Sequence, residues 1–196
     1  YMTSICLIYR VKFGCKQKGA KKMNDKNLIK EALNKNKECC YMLGEKYYYG
    51  KGVPADRRLA KEWYEASAKL GHVSAQYMYG YILCASARGE EDLKTGLKYV
   101  KKAARSLHAE AMLLLARNYF YGVGVDKNVK KAVKIWKKAS EIGCPEAKYY
   151  LGLCYDKGVT VRRNVMKAKK YLFAALEDGY DASKTILLRS GYPAVA

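Results

Sequence analysis

YFYGVGVDKNVKKAVKIWKKASEIG, residues 119–143, breaks one patterned stretch with two glycines and runs a second patterned stretch into a third glycine. The same arrangement stands at residues 47–71 as YYYGKGVPADRRLAKEWYEASAKLG, two intervals of 36 residues upstream. A motif that recurs in register points to a repeat rather than to an isolated turn.

Working outward at that interval, Gly44, Gly80, Ala116 and Gly152 form one column of small residues, and Cys39, Ala75, Ala111 and Ala147 a second. Ala60, Gly96, Ala132 and Ala168 form a third, followed by a large-residue column of Trp63, Tyr99, Ile135 and Tyr171. Gly71, Leu107, Gly143 and Gly179 close each unit. Inside a unit, Ala111, Leu115 and Tyr119 lie four residues apart, on one face of a helix. Beyond Gly122 and Gly124, the stretch from Lys130 to Ile142 carries a second stripe of Ala132, Ile135 or Trp136, and Ala139, and Gly143 ends it as a C-terminal cap. Each unit is thus predicted to be two helices joined by a glycine-bearing turn. The small columns let the helices approach closely, and the column from Trp63 to Tyr171 is expected to fill the remaining gap.

A lone helix pair cannot bury its apolar faces, so successive pairs must stack. The predicted fold is all-α, a right-handed superhelical solenoid of antiparallel helix pairs with a 36-residue period. AMLLLARNYFYGVGVDKNVKKAVKIWKKASEIG, residues 111–143, resembles the Sel1-like repeat, a relative of the tetratricopeptide repeat, nearly throughout. Residues 39–71 and 147–179 match it as well. In the second unit, CASARGEEDLKTG has lost the Gly-x-Gly-Val turn, and a loop of different shape is expected there.

The expected organisation is four repeats over 39–180, divided as 39–74, 75–110, 111–146 and 147–180. Residues 1–38 form a basic N-terminal segment holding ten basic and three acidic residues, with a degenerate first repeat that includes LIKEAL at 28–33 as its second helix. Residues 181–196 form a capping helix and tail, which would shield the last apolar face.

Composition narrows function without choosing it. The formal charge of +20 favours an acidic protein, nucleic acid or anionic lipid as partner, with simple solubility the competing explanation. No run approaches the roughly 18 to 20 apolar residues of a membrane span. Seven cysteines at irregular spacing, without CxxC or a His/Cys cluster, argue against a disulfide framework or zinc site and for buried thiols in a reducing compartment. The cytoplasm is therefore favoured, with a secreted or periplasmic location the alternative if an N-terminal signal has been removed.

The resemblance implies binding on the concave surface made by the first helices. Mapped onto this chain, that surface holds Tyr41, Tyr77 and Tyr149 in one row, Glu45, Tyr81 and Arg117 in the next, and Tyr48, Phe120 and Asp156 in a third. Rigid rings among sparse charges suit a peptide, although the Tyr41 row has interhelical packing as an equal alternative. On the second helices, Lys94 and Lys130, Lys98, Lys134 and Lys170, and Lys101 and Lys137 recur at the unit period. They would form basic ridges on the convex face, able to track phosphates or to serve only as a solvated surface.

Enzyme chemistry finds little support. His72 and His108 share a column near the ends of second helices, where a structural role is favoured. No Ser-x-x-Lys signature and no phosphate-loop Lys-Ser/Thr ending accompanies the glycine turns. The reading is a noncatalytic protein-binding module without cofactor or metal, serving as an adaptor, a scaffold or a toxin-neutralising immunity-type binder. Nucleic-acid or anionic-surface binding through the convex lysines is the second reading.

Overall fold

A computed structural model describes residues 25–192, which form ten helices and no strand. In order these are α1 (Asp25–Leu33), α2 (Lys37–Tyr49), α3 (Arg57–Lys69), α4 (Val73–Ala85), α5 (Glu90–Arg105), α6 (Ala109–Tyr121), α7 (Val129–Glu141), α8 (Pro145–Lys157), α9 (Val165–Glu177) and α10 (Ala182–Arg189). The strongest contacts join helices adjacent in sequence, as a linear stack requires. The expected first helix of the degenerate leading repeat, most of the basic N-terminal segment, Cys6, Cys15 and the last four residues lie outside the described residues.

Local chemistry sets the boundaries. Gly50, Gly122 and Gly158 end α2, α6 and α8 in the left-handed conformation. Seven-residue turns then lead to Asp56, Asn128 and Asn164, whose side chains cap α3, α7 and α9. The backbone N–H of each capping residue donates across its turn, Asp56 to the Tyr47 carbonyl, Asn128 to that of Tyr119 and Asn164 to that of Tyr155. The second unit differs. Its turn is only residues 86–89, and α5 starts at Glu90, so the corresponding Asp92 sits inside the helix and accepts from the Arg88 N–H instead.

One packing expectation is corrected. The side chains that fill the gap over the small columns belong to Tyr64, Val100, Trp136 and Leu172, all at most 2% exposed, and not to Trp63, Tyr99, Ile135 and Tyr171, which are half-buried. The buried set lies four residues beyond the small column of Ala60, Gly96, Ala132 and Ala168, on the same helix face. The Tyr64 ring covers Gly44 and Leu172 covers Gly152 so closely that an added Cβ would meet either at 2.6 Å.

The histidine expectation is also corrected. His72 and His108 stand at the N-caps of α4 and α6, one residue past the preceding unit's close, rather than at a helix C-terminus. His72 Nδ1 accepts the Ala75 N–H, while Nε2 lies 2.7 Å from the Glu38 carboxylate. That pairing fixes the tautomer with its proton on Nε2.

At the N-terminal end, α1 is followed by Lys35 in the left-handed conformation, one period before Gly71. At the other end Tyr192 is buried against Leu172 and Leu187 and donates to Asp156 at 2.7 Å, pinning the segment after α10 to α8.

Candidate binding surface

The candidate binding rows lie on α2, α4, α6 and α8, and each row meets a different environment. In the first, Tyr41 stacks on His72 with ring centroids 4.4 Å apart, and Tyr77 stacks on His108 at 5.0 Å. Tyr149 meets Tyr180, in the same repeat column as the histidines, at 5.1 Å. These tyrosines join the start of each first helix to the residue just before the next first helix. Their rings are already engaged in packing between units.

The second row is half-buried throughout. Glu45 accepts from the Tyr41 hydroxyl at 3.4 Å. Tyr81, Arg117 and Leu153 follow, one half-buried side chain per repeat. Arg117 lies near Glu146, whose carboxyl is pushed up by burial and held down in part by that guanidinium and by a hydrogen bond from Tyr150. Glu110 adds a second negative charge there, and its carboxylate is 3.1 Å from His108 Nδ1.

Members of the third row diverge. Tyr48 packs edge-on to Tyr64 and Tyr49. Phe120 rests on Trp136 at 5.4 Å, and Asp156 is the acceptor for Tyr192. Tyr48 and Tyr81, from different rows, line one cleft of about 370 Å³ together with Arg57, Arg58, Lys61 and Ile82. The three basic residues of that cleft were not among the sequence candidates. Arg57 has no basic counterpart in the other repeats, whereas Arg58 shares a column with Lys94 and Lys130 and Lys61 shares one with Lys169; the readable signal was the altered turn of the second unit that faces them.

On the second helices, Lys98, Lys130, Lys134, Lys137 and Lys170 are exposed, Lys101 is half-buried, and Lys94 pairs with Glu90 at 3.0 Å. Another set of lysines is held over rings: Lys131 lies 4.3 Å from the Tyr119 ring centre and Lys167 5.4 Å from that of Tyr155, at the same repeat offset.

Among the described residues, no group of three or more His, Cys, Asp or Glu side chains is placed to hold a metal ion. The five described cysteines are unpaired, and burial raises the pKa of the Cys84 and Cys154 thiols to about 11. No described helix is long and apolar enough to cross a membrane.

This combination of stacked helix pairs, recurrent glycine turns and small-residue columns defines a repeat solenoid that presents an extended side-chain surface. The Sel1 repeat model matches residues 37–72, 73–106, 109–144 and 145–180, and the chain belongs to that family. Its structure is similar to c5321, a protective antigen of uropathogenic Escherichia coli, with a TM-score of 0.76 and 23% identity. That match covers 87% of this chain and 36% of the antigen, so the chain spans about a third of the antigen's length. A Sel1 repeat protein from Oxalobacter formigenes matches with a TM-score of 0.73 and 27% identity over 83% of this chain and 67% of its own. The immunity protein Pa5087 from Pseudomonas aeruginosa matches at 0.54 and 22% over 81% and 58%. The comparison with curated proteins found no match.

Proposed function

We propose that the protein is a noncatalytic scaffold that binds another protein along the exposed face of its first helices. The observation that carries this reading is the row Tyr81, Arg117 and Leu153, one half-buried side chain on each successive first helix. Such a row offers aromatic, cationic and aliphatic contacts at regular intervals on a rigid stack, which suits recognition of an extended or helical segment. An acidic partner fits the formal charge of +20 through faster, salt-dependent encounter. The unpaired thiols of the described residues support a reducing compartment such as the cytoplasm. An immunity-type role, in which the solenoid occludes a partner's surface, is one form this scaffolding takes.

The test is affinity capture from the source cells with nuclease and high salt, using the wild type, the pair Tyr81→Ala with Arg117→Ala, and the triple Lys98→Glu, Lys134→Glu, Lys170→Glu. A stoichiometric protein lost by the first variant and kept by the second supports the groove. Capture that is lost only in the lysine triple, or that disappears with nuclease, moves function to the convex face.

A further inference from the structure

We propose that the cleft between the first two repeats binds carboxylates of an acidic segment of a protein partner, with an apolar side chain of that segment lying against Tyr48 and Tyr81. The proposal rests on the scaffold reading and narrows it to one place and one chemistry.

The end of α2 supplies Tyr48, the start of α3 supplies Arg57, Arg58 and Lys61, and the end of α4 supplies Tyr81 and Ile82. Two features separate this cleft from the equivalent places in the other repeats. The first is charge. Where α3 has Arg57, Arg58 and Lys61, the second unit has Leu93, Lys94 and Leu97, the third Val129, Lys130 and Val133, and the fourth Val165, Met166 and Lys169. Three cations stand together only in the first.

The second is room. The opposite lip is Ala85 and Ser86, where the third and fourth repeats carry Tyr121–Gly122 and Lys157–Gly158. A methyl group therefore stands where a ring or a lysine chain stands elsewhere. The loss of the repeat's usual turn and the gain of cations fall on opposite sides of one opening.

Among the described residues none of Arg57, Arg58 and Lys61 is held in a close ion pair, although the Arg58 charge acts on the neighbouring Asp56. Asp56, beside them, accepts the backbone N–H groups of Leu59 and Arg58 at 3.0 and 2.9 Å, and these, with a smaller contribution from the Arg58 charge, hold its carboxyl below the usual range. Glu45 receives the Tyr41 hydroxyl.

Guanidinium groups match carboxylates in a planar, two-pronged geometry, and tyrosine rings add contact area at small entropic cost. A nucleic-acid strand would need cations continuing along its backbone, and the corresponding positions of the next repeats are mainly aliphatic. The cleft is one local site and suits a short segment in which acidic residues flank an apolar one.

The experiment titrates the nitrogen-15-labelled full chain with the blocked peptide Asp-Glu-Phe-Asp-Glu, its neutral counterpart Asn-Gln-Phe-Asn-Gln, and short oligothymidylate. The acidic peptide is expected to shift the amides of Tyr48, Arg57, Arg58, Lys61, Tyr81 and Ile82, with the neutral one at least tenfold weaker. Arg57→Gln with Lys61→Gln should weaken the acidic peptide tenfold or more. Ala85→Trp, at an exposed helix end, should block the cleft without altering charge, and unchanged amide spectra elsewhere report that each variant is folded. Equal binding of the neutral peptide, equal or tighter oligothymidylate binding at these residues, or no shift at millimolar acidic peptide overturns the proposal. Shifts confined to Arg117 and its neighbours overturn the cleft while leaving the scaffold reading standing.

Discussion

A Cβ placed on Gly80 would lie 2.7 Å from the Gly96 carbonyl oxygen, and one placed on Gly96 would lie 2.8 Å from the Gly80 carbonyl oxygen. In the second unit, then, α4 and α5 touch backbone to backbone, whereas in the first and fourth units a large side chain covers the corresponding glycine. Backbone cannot swing aside as a flexible side chain can.

Gly80→Ala is accordingly expected to lower stability by about 1–3 kcal/mol, the range for overpacking a filled interior. Gly96→Ala should act similarly. Urea unfolding followed by circular dichroism measures both, and an unchanged midpoint would mean that the two helices can separate freely.

Leu107 and Thr160 occupy the left-handed region, at φ of 61° and 58°, where other units place glycine. Leu107→Gly and Thr160→Gly should each stabilise the fold by about 1 kcal/mol, because relief of a left-handed side-chain conformation outweighs glycine's greater freedom in the unfolded chain. For a chain of this size that corresponds to a rise of roughly 2–4 °C in Tm, readable by calorimetry.

His108 gives the fold a pH dependence of defined sign. Burial against the Tyr77 ring lowers its pKa, His72 lowers it further, and Glu110 opposes the shift. A histidine with a depressed folded pKa contributes its full stability above the unfolded value of about 6.5, and loses it as pH falls from there through the folded value. The wild type should therefore lose more stability than His108→Gln between pH 7 and 5. Parallel unfolding curves for the two proteins would assign the acid sensitivity to the carboxylates instead.

With thiol pKa values near 11, Cys84 and Cys154 hold almost no thiolate at neutral pH. Both should react with an alkylating reagent only slowly in the native protein and quickly in denaturant. Peptide mass spectrometry after timed labelling distinguishes them from the remaining cysteines.

Tyr192→Phe removes the 2.7 Å hydrogen bond to Asp156 and leaves the ring in place. A loss of about 1.5–3 kcal/mol is expected, as for hydrogen bonds to charged groups, with hydrogen exchange accelerating first in α10.

The period itself determined the fold: columns of small residues, turn glycines and closing glycines each require a particular backbone contact or conformation, and identity at those positions is visible in a string of letters. The loop change in the second unit was equally legible, since its glycines are missing. The partner of each small column was harder to read. Trp63 and Tyr64 are adjacent and both aromatic, and only the rotation of α3 against α2 places Tyr64 in the core.

Surface roles were decided by tertiary structure. For Tyr41, Tyr77 and Tyr149 the sequence allows contact and interhelical packing equally, and the structure brings a ring against each. Asp156 looks like a groove charge until the chain returns after α10 with Tyr192. Arg57 and Lys61 stand about 20 residues from Tyr81 and Ile82, and only the packing of α4 beside α3 brings them to one cleft. A repeat pattern records what each unit must do to stack on its neighbours, whereas a binding cleft arises where units depart from that pattern and their departures meet in space.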